Sequence, residues 1–122
     1  EIRIGASPYA LKSAYLKKRV RGAIDFAQAG VAVALWLDND TAEVKKARMV
    51  LCSSGTRPLR VTEAEELLPH REIHEKTLLE IQRLASKASK AVKNVFGATV
   101  GYRRDMAGVL AREGIERLLG RK

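Results

Sequence analysis

The chain has 122 residues, a net charge of +9, and 46% hydrophobic against 30% charged residues. That length suits one domain with a modest core, and that composition is ordinary for a soluble globular protein. No apolar run approaches bilayer-crossing length and no signal-peptide pattern opens the chain, so no membrane span is expected. Cys52 is the only cysteine. One thiol cannot close an internal disulfide or build a cysteine-only metal cage, and a reducing, cytoplasmic setting is the simplest one. The chain opens at Glu1 and its first residues already read as structure, which fits a domain of a longer protein.

Glu1 to Ile4 is a short strand candidate, closed by Gly5 and Pro8. The basic segment from Tyr15 to Gly22 carries too much charge for a buried element and is read as a mobile loop. Val31 to Leu37 is a continuous apolar run of strand length, expected to be covered on both faces. Asp38-Asn39-Asp40 supplies turn residues, and Thr41 to Leu51 returns as the second strand of a hairpin. Alternation fails between Val44 and Ala47, which marks a bulge. Cys52 at its end reads as a small buried hydrophobe, and Leu59 to Val61 is a final short strand.

Helices follow. Thr62 and Glu65 have capping-box spacing, and Pro69 ends that short helix after Leu67 and Leu68. From Glu72, the positions Ile73, Leu78, Ile81, Leu84, Ala85, Ala88 and Val92 have helical spacing, which breaks at Asn94 to Gly97. The last helix begins near Tyr102, with Ala107, Leu110, Ala111 and Leu118 on one stripe. The expected fold is α+β: a small antiparallel β-sheet of roughly three to four strands packed against about three helices, as a single domain over residues 1–122.

Independent chemistry is sparse. His70 and His74 could share a helix face, but no third ligand or HExxH pattern accompanies them, so they read as surface histidines. Ser53-Ser54-Gly55 reads as a turn, and no P-loop, GxSxG elbow or GxGxxG is present. The isolated chain is therefore not expected to be catalytic. Its basic stretches, Lys12 to Arg21 and Arg83 to Arg104, would attract anions: nucleic acid, a phosphorylated cofactor or an acidic subunit face. With only 5% aromatic residues and no RRM, KH or zinc-finger pattern, nucleic-acid binding rests on charge alone.

The stretch from Ala14 to Ala27, followed by Gly30 to Leu35, resembles a pattern in the FAD-binding subunits of molybdenum hydroxylases, the carbon monoxide dehydrogenase and xanthine dehydrogenase family. The pattern is an aromatic residue shortly before a lysine, then an arginine, an aspartate and an apolar strand. The similarity continues in order through Ala47 to Leu51, Pro58 to Leu68, and Tyr102 to Arg112, while Val95 to Thr99 departs from it.

This resemblance implies the C-terminal domain of an oxidoreductase subunit, a small antiparallel sheet covered by three helices. It would close over FAD and support electron transfer from iron–sulfur (2Fe-2S) clusters through FAD to an acceptor. The molybdenum cofactor and clusters would sit in partner subunits or domains. An upstream FAD-binding domain before Glu1 would hold most of the flavin. The resemblance places Lys17 as the flavin contact, with Arg21 and Asp25 shaping the adjacent loop. The alternatives are a basic nucleic-acid-binding module and a purely structural subunit-docking domain.

Overall fold

A computed structural model describes residues 1–3, 5–22, 25–93 and 97–121. The elements run β1 (Ala10–Lys18), β2 (Ala29–Leu37), β3 (Val44–Cys52), β4 (Leu59–Arg60), α1 (Thr62–Leu67), α2 (Glu75–Ala88) and α3 (Val100–Leu118). The strands form one antiparallel sheet in the order β1-β2-β3-β4. The expected α+β class, strand number and helix number are those observed.

Strand β2 organises the sheet because its apolar run puts Val31, Val33, Leu35 and Leu37 on one face, all buried. Leu16 of β1 and Ala47, Met49 and Leu51 of β3 join that face through the strand register. Leu78, Ile81, Ala107, Ala111 and Ile115 from α2 and α3 complete the core against it. Helix α3 comes so close to the sheet that a Cβ on Gly114 would stand 3.0 Å from Val33 Cγ2. The Thr99 hydroxyl accepts the Tyr102 N–H at 3.1 Å and caps the start of α3.

The opposite face of β2 carries only Gly30, Ala32, Ala34 and Trp36, and its neighbours are partly exposed. The expectation of cover on both faces is therefore corrected: the run is half-covered, because small residues on the second face mask its alternation. Cys52 pairs with Gly30 on this open face and is partly exposed, not the buried hydrophobe expected. Lys46 stands 4.9 Å from the Trp36 ring centroid across the same face.

Several expected boundaries move. Residues 1–3 are not strand, and Ile4 of that candidate lies outside the described residues. The first strand is Ala10–Lys18, so half of the basic segment read as loop is an edge strand. Only Leu16 enters the core, and the lysines around it face water, as edge strands favour. The return strand starts at Val44, since Asp38 folds residues 38–43 into a turn by accepting the N–H groups of Asp40 and Thr41. The expected bulge is present: Trp36 pairs with Lys46 and Leu37 with Val44, leaving Lys45 extra.

No capping box forms. Val61 is the N-cap of α1 without a side-chain bond, because the Glu65 carboxylate is taken by Arg48, Arg60 and the Met49 N–H. Helix α2 starts at Glu75, after Ile73, and ends before Val92. His70 and His74 share no helix: His70 has φ 57° and meets Glu43 at 3.0 Å, while His74 is the N-cap of α2. Asn94 to Phe96 of the expected break lie outside the described residues.

Candidate flavin-side surface

Strand periodicity sets the site. On β1, alternate residues Leu11, Ser13, Tyr15 and Lys17 share the open face with Gly30, Ala32 and Ala34. Tyr15 is 54% exposed and leans across Gly30, where an added Cβ would meet the Tyr15 hydroxyl oxygen at 2.8 Å. Ser13, Tyr15, Ala32, Ala34, Arg48 and Val50 line a shallow concavity of about 350 Å³. The face is thus a shallow shelf of small residues, with Tyr15 and Lys17 at one end and Trp36, Lys46 and Arg48 towards the other. Burial, and secondarily the neighbouring Cys52, push the Tyr15 phenol up, so it remains a neutral donor.

Beyond Lys17 the chain turns through a loop built on Asp25. Its carboxylate accepts the N–H groups of Val20 at 3.2 Å, Arg21 at 3.1 Å and Phe26 at 2.9 Å. The Arg21 guanidinium stands 3.8 Å away, and the Asp25 side chain is only 6% exposed. Burial alone would raise this carboxyl, but the backbone N–H groups and Arg21 outweigh it and hold the pKa below the usual value. Arg21 and Asp25 shape the loop, as expected. Lys17 donates its ammonium to the Asp25 carbonyl at 3.0 Å, which leaves its remaining donors for another group. The main-chain bond from Gln28 N–H to Lys18 O, 2.8 Å, closes the loop.

The base of the loop is held by Arg103, a residue whose role the sequence did not disclose. Its side chain donates to the carbonyls of Gln28 at 2.9 Å, Ser53 and Val92. Tyr15 is a further residue of this surface, signalled in the sequence only by its i, i+2 spacing to Lys17 once the segment is read as strand. A separate groove of about 570 Å³ lies between α2 and α3, lined by Leu79, Arg83, Lys87 and Arg104 among others. It gathers Arg83, Lys87 and Arg104 of the second basic stretch and lies apart from Lys17. Among the described residues no cluster of histidine, cysteine or carboxylate side chains could hold a metal ion, and no helix is long and apolar enough to cross a membrane.

An antiparallel sheet with helices on one face, and an aromatic–lysine shelf beside an aspartate-folded loop on the other, defines an α+β domain. The chain belongs to the CO dehydrogenase flavoprotein C-terminal domain family, whose model matches residues 14–118. It is similar to a chain of the cyanide-inactivated Cu,Mo-CO dehydrogenase, with 28% identity over 95% of this chain and 39% of that one, and a TM-score of 0.81. A chain of reconstituted CO dehydrogenase from Oligotropha carboxidovorans is 27% identical over 92% of this chain and 38% of that one, with a TM-score of 0.79. Quinoline 2-oxidoreductase from Pseudomonas putida 86, 20% identical over 91% of this chain and 38% of that one, shares the fold with a TM-score of 0.79. The chain therefore spans 39% of the length of the first of these chains. Comparison with curated protein sequences finds no match.

Proposed function

We propose that this domain closes over the flavin of its subunit, with Lys17 as the contact and Tyr15 beside it. The observation that carries this reading is the fixed ammonium of Lys17 at the end of an uncovered, flat sheet face. The residues fit the group: a planar ring system suits a shelf of Ala32 and Ala34 edged by the Tyr15 ring, and its polar edge suits a lysine with donors to spare. When bound, FAD supplies the electron relay between iron–sulfur clusters and an acceptor. With FAD bound, Lys17 would hold a positive charge towards the ring and Tyr15 would cover apolar surface, while the Asp25-built loop keeps Lys17 in place. Most of the flavin would be held by the upstream domain, and the clusters and molybdenum cofactor by partner subunits or domains.

In the full-length subunit, Lys17→Ala is expected to weaken FAD binding about tenfold, the size of one charge-assisted hydrogen bond partly exposed to water. A fluorescence titration measures it. Unchanged affinity together with an unchanged flavin potential would reject the contact and leave a purely structural docking domain.

Gly30→Ala separates the shelf from the fold. The added methyl displaces only the far end of the Tyr15 side chain and crowds Cys52 Cβ at 3.3 Å. Stability should fall by less than about 1 kcal/mol, while FAD affinity falls several-fold, read from paired urea and flavin titrations. Equal affinity in the variant would show that the Tyr15 position does not matter to the flavin.

A further inference from the structure

Arg103 sits in the first turn of α3 and is 7% exposed, yet among the described residues no carboxylate pairs with it. Its three nitrogens instead engage three backbone carbonyls from distant parts of the chain. Each acceptor lies just outside a regular element: Gln28 precedes β2, Ser53, with φ 55°, follows β3, and Val92 lies beyond α2. A buried cation is expensive unless its donors are satisfied, and a salt bridge to one acid would be the simpler solution. Three carbonyls fixed by one planar fork serve geometry instead, which lysine, with a single ammonium, cannot reproduce.

The path from this brace to Lys17 is short. Gln28 accepts from Arg103 through its carbonyl and donates through its N–H to Lys18, the residue next to Lys17. We propose that Arg103 is a positioning residue for the flavin-side loop, setting the frame in which Lys17 meets its ligand. This inference rests on the flavin reading above.

The test is a double-mutant cycle in the full-length subunit, with FAD affinity as one readout and amide hydrogen exchange as the other. Arg103→Lys is expected to weaken FAD roughly fivefold, the equivalent of about 1 kcal/mol, when Lys17 is present. In the Lys17→Ala background it should change affinity less than about twofold, because residues acting through one contact are not additive. The Gln28 amide should exchange faster, while the Val33 and Met49 amides of β2 and β3 keep their protection. An equal loss in both backgrounds, or protection lost across β2 and β3, would make Arg103 a general stabiliser and overturn the inference. If Lys17→Ala weakens FAD and Arg103→Lys does not, the positioning role alone falls. If Lys17→Ala changes neither affinity nor potential, the flavin reading falls and takes this inference with it.

Discussion

Gly108→Ala is expected to destabilise the chain by about 2 kcal/mol, measured as a lower urea midpoint at unchanged m-value. Gly108 lies where α3 crosses α2, and a Cβ there would stand 2.5 Å from the Gln82 carbonyl oxygen. That neighbour is backbone in the middle of a helix, so it cannot rotate away as a side-chain tip would. Ser86 Cβ at 3.3 Å closes the other direction. Alanine contributes about 1 kcal/mol of helix propensity over glycine, and the clash has to exceed this for the variant to lose stability. A variant as stable as the parent would mean that the helices separate freely. That would contradict a core in which Ala85, Ala107 and Ala111 are all buried at short range. At Gly101, where an added Cβ meets nothing within 4 Å, the same substitution should be neutral or stabilising.

Glu65→Gln should cost about 2 kcal/mol at neutral pH and, more tellingly, should flatten the acid limb of the stability curve. The Glu65 side chain is 4% exposed and serves the Met49 N–H at 3.1 Å, Arg60 Nε at 3.1 Å and Arg48 at 3.2 Å. Burial would raise its pKa, but the Arg60 hydrogen bond, the Met49 N–H and the charges of Arg60 and Arg48 together hold it below the usual glutamate value. A carboxyl whose folded pKa is depressed contributes stability in full above its unfolded pKa, near 4.3, and loses it as pH falls through the folded pKa. The gap between parent and variant should therefore be widest near neutrality and close in acid. Both arginines are about half exposed, so they rehydrate once the acid is neutralised, and the glutamine amide oxygen can still accept the Met49 N–H, so the loss is mostly that of the charge. A gap that stays constant from pH 7 to about 3 would show that the Glu65 charge does not act in folding.

The fold was legible wherever local pattern and tertiary role agree. Val31 to Leu37 declared the central strand, Asp38 its turn, and the broken alternation at Val44 the bulge, because these are short-range effects of side-chain shape and hydrogen bonding. The segment Tyr15 to Lys18 misled for a physical reason: an edge strand needs only one buried residue, here Leu16, and its charges belong to its solvated face. That single misreading hid Tyr15, whose alternation with Leu16 puts it beside Lys17. Glu65 has the spacing of a capping partner, yet Arg60 and Arg48 outbid the N-terminal amide for its oxygens. Arg103 was beyond local reading altogether, since its acceptors lie 75, 50 and 11 residues away in the chain.

At the candidate site, Lys17, Arg21 and Asp25 were all marked in the sequence. In the fold, Asp25 shapes the loop and its carbonyl holds the Lys17 ammonium. Part of the positive charge lies at this end, where Lys17, Lys18, Arg19 and Arg21 accompany a single acid, Asp25, already engaged in the loop.

The flavin midpoint potential of the full-length subunit, compared for the parent, Lys17→Arg and Lys17→Ala, tests the central claim most directly. A cation held against the ring favours the reduced, more negative form, so Lys17→Ala should lower the potential by about 30 mV, the two-electron equivalent of ~1.4 kcal/mol. Lys17→Arg should retain most of the parent value. Coincident potentials in all three proteins would contradict a flavin wall built on Lys17.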